Sequence, residues 1–238
     1  MDLFIESLRE ALRLLLQGNR YVVDVVLLSL RVSGIAVLLG VALGLPVGVT
    51  IGLNRFRGRA IAVALIHTGF ALPPVVVGLF VYMLLSRAGP AGHLELLFTP
   101  AAMVVAQAVL AAPYVAGITL AAVQAVPADV RLQARALGAS GPRALWMHLR
   151  EARLGIGAAV VAGFGAVISE VGAVMMVGGN IAGETRVMTT AIVLETRRGN
   201  FATALAMGLI LLVLAFAVNL LLTRAQQGRS AAVQRRTW

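Results

Sequence analysis

Cysteine and lysine are both missing from this 238-residue chain, and aromatic residues supply only 5% of it. Without cysteine there can be no disulfide, no thiolate metal site and no thiol nucleophile. Three histidines and no H-E-x-x-H pattern argue against a zinc site. No G-x-x-x-x-G-K-[ST] run occurs, so the loop with which ATPases cradle phosphates is absent. Charge is scarce as well: 13% of the residues are Asp, Glu or Arg, where soluble domains carry about a quarter. A cleavable leader is not expected either, because Asp2, Glu6 and Glu10 interrupt the stretch where its apolar core would lie.

Apolar residues fill the space left by these absences. They make up 60% of the chain, and the mean hydropathy is +0.92. Such a composition requires lipid as one solvent. A bilayer core needs about 20 apolar residues of helix. Uncharged runs of that order lie at 32–53, 60–86, 100–123 and 201–223, and a fourth in chain order, 154–177, is interrupted only by Glu170. The approach to the first, from Val25, carries Arg31, which can snorkel to the interface. The expected fold class is an all-α integral membrane protein with about five transmembrane helices. Five spans leave no room for a soluble ATPase domain. Residues 1–20 differ: Leu3, Phe4, Leu8, Ala11, Leu12 and Leu15 recur at helical spacing, opposite Glu6, Arg9, Glu10 and Arg13. That is an amphipathic helix suited to the membrane interface. The chain thus divides into an interfacial helix (1–20), a transmembrane domain (21–224) and a basic tail (225–238), the tail expected to be without structure.

All the positive charge is arginine, and its placement sets orientation. Arg55, Arg57 and Arg59 lie between the first two runs. Arg131, Arg135, Arg143, Arg150 and Arg153 lie between the third and fourth. Arg224, Arg229, Arg235 and Arg236 follow the fifth. Five spans put these twelve on one side, against seven on the other. The positive-inside rule makes the richer side cytoplasmic, with the N-terminus outside and the C-terminus inside. Topology accounts for the net charge of +10 without nucleic acid.

Four features carry mechanism. The second run contains Pro73-Pro74, and an interior proline costs a helix roughly 3 kcal/mol. Broken backbone at membrane depth survives only where protein or a water-filled cavity satisfies it. The two prolines are therefore expected to face the bundle interior, as a hinge beside the path or as a static kink. Glu170 is the lone carboxylate in the fourth run, and reads as a structural polar pin or as a gating group. Between 178 and 200, the apolar stretch 187–194 is too short to span and reads as a re-entrant or interfacial helix. Its Thr189 and Thr190 offer hydroxyls to a passing anion, or bond within their own helix. The connector 124–153 reads as a helix over 129–137, a break at Gly138 and a second helix from Pro142. It is either a lever for a soluble partner or a solvated basic loop.

Around that break the chain resembles the coupling loop of binding-protein-dependent ABC transporter permeases, E-A-A-x-x-x-G. Leu137-Gly138-Ala139-Ser140 matches its centre, while Leu132 and Gln133 stand where the glutamate and first alanine would be. The resemblance extends over residues 25–223 to the tungstate and molybdate branch. Leu72-Pro73-Pro74-Val75-Val76-Val77-Gly78-Leu79 is similar to its second-span motif. Ile168-Ser169-Glu170-Val171-Gly172-Ala173 and Val177-Gly178-Gly179-Asn180-Ile181 are similar to its fourth-span motif. Thr185-Arg186-Val187-Met188-Thr189-Thr190-Ala191-Ile192 with Glu195 resembles the outer loop of tungstate permeases.

The resemblance implies an ATP-driven importer subunit for an oxyanion, tungstate ahead of molybdate, sulfate or another solute. It implies coupling to an ATPase through Arg135, Leu137, Gly138, Ala139 and Ser140. It implies a pathway or gate involving Pro73, Pro74, Glu170, Thr189 and Thr190. The expected partners are ABC ATPase subunits, an extracytoplasmic binding protein, membrane lipid and a second copy of the chain, because five spans make a poor closed conduit. No cofactor is expected in this chain, since ATP and magnesium would sit in the ATPase. A secondary carrier or channel, and a non-transporting scaffold, are the rival readings. The first needs an ion relay that Glu170 alone does not supply. The second leaves the break at Pro73-Pro74 without a purpose.

Overall fold

A computed structural model describes residues 20–127 and 129–234, with positions 5, 8, 9, 12 and 13 before them. Regular structure among the described residues is entirely helical. The helices are α1 (Arg20–Leu53), α2 (Arg59–Phe70), α3 (Pro74–Leu85), α4 (Pro100–Ala125), α5 (Asp129–Ala136), α6 (Gly141–Glu151), α7 (Arg153–Ile168), α8 (Gly172–Gly178), α9 (Met188–Arg197) and α10 (Phe201–Gln234), with a single 3-10 turn at Gly92–Leu94. Ile5, Leu8, Arg9, Leu12 and Arg13 of the expected amphipathic segment are helical, and its other positions lie outside the described residues.

Proline sets several of the helix starts. Pro74, Pro100 and Pro142 each occupy the first turn of their helix, where the missing N–H is no loss. Three helices (α1, α4 and the first 21 residues of α10) are long and apolar enough to cross a membrane, and two bent pairs bring the number of spans to as many as five. Of the three, α4 is the centre of the bundle: 61% of its most apolar stretch is buried, against 39% for α1 and 17% for α10. The main core gathers Val32, Ala36, Val81, Met103, Leu110, Phe164, Val167 and Val174 around α4.

The most extensive helix contact among the described residues is α1 against α4, and glycine makes it possible. Gly40, Gly44, Gly48 and Gly52 recur every fourth residue and so form one stripe of α1. A Cβ on Gly44 would lie 2.5 Å from the Ala112 carbonyl oxygen, and one on Gly40 would lie 2.7 Å from the Ala111 Cβ. On Gly48 it would strike the Ala116 carbonyl, and on Gly52 the Val123 side chain. In lipid, where apolar side chains gain little by leaving their surroundings, close approach of backbones is what holds helices together.

Three sequence expectations are corrected. The run 60–86 is not one straight span: α2 and α3 meet at 100° around residues 71–73. Each has 12 residues and is about 18 Å long, too short to cross alone. The fourth run breaks at 169–171, so Glu170 stands at a helix junction rather than within a helix. The tail expected to lack structure continues α10 to Gln234.

Candidate functional site

The break at Glu170 is a buried polar junction. Glu170 is 9% exposed, and its Oε1 accepts the Ala173 N–H at 2.9 Å, capping the start of α8. An acidic cap suits that position, because a helix N-terminus carries unpaired N–H groups and a positive partial charge. The Glu170 carbonyl accepts the Thr189 hydroxyl at 2.7 Å, which fastens α9 to the break. On the other flank, Gln107 of α4 donates its Nε2 to the Val167 carbonyl at 2.9 Å, while its buried Oε1 has no partner. The freed backbone is thus satisfied by side chains from α4 and α9, as membrane depth demands.

The segment between α8 and α9 is built on Thr185 and Arg186. The Thr185 hydroxyl donates to the Gly178 carbonyl at 2.5 Å and accepts the Ile181 N–H at 2.9 Å. Arg186 donates to the Asn180 side chain and carbonyl, both at 3.2 Å, and to the Tyr21 hydroxyl at 3.3 Å. Ser29 of α1 accepts the Met188 N–H at 2.8 Å. In α9, Thr190 accepts the Val187 N–H at 3.1 Å and donates to the Val187 carbonyl at 3.0 Å. Both threonines are buried, so in this conformation their hydroxyls serve the fold and are not presented to a passing anion. Glu195 is also buried, and its carboxylate accepts from Asn200 at 2.8 Å and Arg198 at 3.4 Å.

Pro73 and Pro74 mark the bend between α2 and α3 but do not face the protomer's interior: Pro73 is exposed and Pro74 half-buried. The bend satisfies itself. Ala71 N–H donates to the Thr68 carbonyl at 3.0 Å, and Val76 N–H to the Pro73 carbonyl at 2.9 Å. Gly78 and Val77 make the inward contact instead; a Cβ on Gly78 would lie 2.8 Å from the Ala173 Cα of α8.

In the connector, Gly138 takes φ 86°, the left-handed conformation that ends many helices. The Gly138 N–H returns to the Arg135 carbonyl at 2.9 Å and the Ala139 N–H to the Ala134 carbonyl at 2.9 Å. Arg135, Gly138 and Ser140 are exposed, and Ala139 half-buried. Leu137 stands out: it is 87% exposed at the tip between α5 and α6. His148 of α6 tethers the connector to the bundle, its Nε2 lying 2.8 Å from the Val123 carbonyl at the end of α4.

Sequence reasoning missed Gln107, Ser29 and the glycine stripe. The stripe was readable as G-x-x-x-G. Gln107 was visible as a carboxamide within an apolar run, but Ser29 gives no signal apart from its partner.

The architecture is helical and built to span a membrane: closely packed spans, two broken helix pairs, an ordered segment between α8 and α9 and an exposed polar connector. Residues 44–230 match the family described as "Binding-protein-dependent transport system inner membrane component". The chain belongs to that family. It is therefore a membrane-spanning subunit of a binding-protein-dependent ABC importer; it is not an enzyme, and in such importers a separate subunit hydrolyses ATP. It is 47% identical over 206 residues to a "Probable anion ABC transporter permease protein" of Haloferax volcanii, covering 84% of this chain and 89% of that one. It is 36% identical over 227 residues to the "Tungstate uptake system permease protein TupB" of Peptoclostridium acidaminophilum, covering 95% of this chain and all of the relative. In fold it is similar to a chain of a bacterial ABC transporter involved in the import of the acidic polysaccharide alginate, with TM-score 0.73, 18% identity, and coverage of 92% of this chain and 82% of that chain.

Proposed function

We propose that this chain is the permease of an oxyanion importer and that its substrate is tungstate. The observation that carries the reading is the full-length similarity to a tungstate permease, which takes in the Glu170 junction and the outer segment through Glu195. Relatives described as molybdenum and sulfate permeases are less similar: one molybdenum permease is 31% identical over 175 residues, and two sulfate permeases are 28% and 27% identical over 178 and 221 residues, covering 70%, 72% and 90% of this chain.

The proposed assembly is a homodimer with two ATPase subunits on the arginine-rich, cytoplasmic side and a binding protein on the other. Leu137 and its neighbours Arg135, Gly138, Ala139 and Ser140 form the contact with the ATPase, where an exposed leucine can enter an apolar pocket. Nucleotide-driven closure of the ATPases pulls this connector. The outer segment, fastened through Thr189, Ser29 and Arg186, then releases the anion delivered from outside. Glu170 and the bend at Pro73-Pro74 are the places where the helices yield. Differential contacts in two states, rather than bond chemistry in this chain, drive the cycle.

The test is reconstitution in vesicles with the candidate ATPase and binding protein. Tungstate is expected to stimulate ATP hydrolysis at lower concentration than molybdate or sulfate. Preferential stimulation by molybdate would reassign the substrate within the class. Anion transport by the chain alone, without ATPase, would refute the importer reading.

A further inference from the structure

A cavity of about 480 Å³ lies where the ends of α1 and α4 meet the connector. Its walls carry Asn54, Arg55, Arg59, Gln124, Arg131 and His148, and no acidic residue lines it. The volume falls within the range of about 300–1,000 Å³ usual for ligand sites.

Two helix C-termini close one end of this space, and each contributes roughly half a negative charge. One reading is that the arginines only neutralise those ends. The hydrogen bonds do not exhaust them. Arg59 gives its Nε to the Ile51 carbonyl at 3.0 Å, which leaves the rest of its guanidinium. Arg55 and Arg131 make no hydrogen bond or ion pair to any described residue. Three guanidinium charges against about one unit from the two helix ends leave a net of about +2. His148, only 2% exposed, bonds the Val123 carbonyl through Nε2 and so fixes this wall to the end of α4. The wall is polar and incompletely satisfied.

We infer that this cavity seats a phosphate-class anion, held by Arg55, Arg59 and Arg131. Because Arg131 belongs to α5 while Arg55 and Arg59 flank the α1–α2 turn, a bound anion ties the connector to the ends of α1 and α4. Two sources share this chemistry: the headgroup of an anionic phospholipid, and a free oxyanion such as inorganic phosphate. Cytoplasmic basic pockets between membrane helices suit the first.

The experiment titrates the full chain in neutral detergent with phosphatidylglycerol, phosphatidylcholine or inorganic phosphate, following the thermal unfolding midpoint and, by native mass spectrometry, the retained ligand. It uses no ATPase and no tungstate, so its outcome is separate from that of the transport assay. An anion contact near the membrane surface is worth about fivefold per arginine, so Arg55→Gln with Arg131→Gln weakens binding roughly thirtyfold. The charge-matched pair Arg57→Gln with Arg143→Gln, both outside the cavity, changes it less than about twofold. Binding of phosphatidylglycerol but not phosphate assigns the seat to lipid, and binding of phosphate assigns it to a soluble anion. Equal losses in the two double variants, or no preference of the wild-type chain for either anion over phosphatidylcholine, overturn the inference. Should the cavity double variant not purify as a single species, Arg131→Gln alone is read, with about a fivefold loss expected.

Discussion

Replacing Gly44 and Gly34 by alanine, separately, isolates the force that holds α1 to α4. Both residues lie inside α1, so each substitution gains the same helix propensity, about 1 kcal/mol over glycine. They differ in what the new methyl meets. At Gly34 there is nothing within 4 Å. At Gly44 the methyl lies 2.5 Å from the Ala112 carbonyl oxygen, 2.9 Å from the Val115 Cβ and 3.0 Å from the Ala116 nitrogen. Ordinary contact begins at 3.4 Å, so the helices must part by 0.9 Å at that point. Two of the three obstacles are backbone, and no rotamer change relieves them. Overpacking of this kind costs about 1–3 kcal/mol. With propensity cancelled, Gly44→Ala is expected to lie about 1–3 kcal/mol below Gly34→Ala. For a chain of this size each kcal/mol moves the thermal midpoint by about 2–4 °C. The assay is thermal unfolding of the two purified variants in the same detergent, followed by circular dichroism. Equal midpoints would refute the claim that close backbone approach organises the bundle.

Three further outcomes can be checked. Gly138→Val should cost about 1–2 kcal/mol through its left-handed φ alone, since no atom lies within 4 Å of a Cβ there, whereas Gly138→Asn should cost less than half of that; unfolding midpoints decide, and parity between the two would place the constraint elsewhere. Glu170→Ala removes the cap on α8 and should lower stability by about 1 kcal/mol, while Glu170→Gln, which keeps an acceptor for Ala173, should lose less; a Gln variant as impaired as the Ala variant in transport but not in stability would make the charge itself functional. Reporter fusions at Arg57 and Glu95 should report opposite faces of the membrane, with Arg57 cytoplasmic; same-side signals would break the proposed orientation.

Composition and hydropathy were enough to locate α1, α4 and the membrane part of α10, because an uncharged run of bilayer length has few other uses. They did not reveal the 100° bend between α2 and α3, since a hydropathy average over 60–86 is blind to direction. The signal was present in Pro73-Pro74, but its consequence for exposure was misjudged. A proline has no N–H to satisfy, and neighbouring carbonyls close the turn locally, so nothing compels Pro73 to point inward. Glu170 illustrates the opposite case. A lone carboxylate in an apolar run announced that something unusual stands there, yet its role as a cap depends on the break three residues before Ala173. The partners that hold the break, Gln107 on the Val167 carbonyl and Thr189 on the Glu170 carbonyl, lie 60 and 19 residues from the groups they bond, distances over which local pattern carries no information.

The contrast between interfaces bears on how such a chain can alternate between states. Along α1 and α4, the glycine stripe meets carbonyls and Cβ atoms with no space left, so sliding one helix on the other would force many atoms through contact at once. At 169–171 the break is held by single hydrogen bonds from side chains of α4 and α9. Each such bond contributes about 0.5–1.5 kcal/mol net. Exchanging two or three of them therefore changes the free energy by a few kcal/mol, the size of the gap between interconverting conformations. In the proposed cycle α1 and α4 move as one body, and the conformational change is concentrated at the bend at Pro73-Pro74 and at the break where Thr189 holds Glu170 and Gln107 holds Val167.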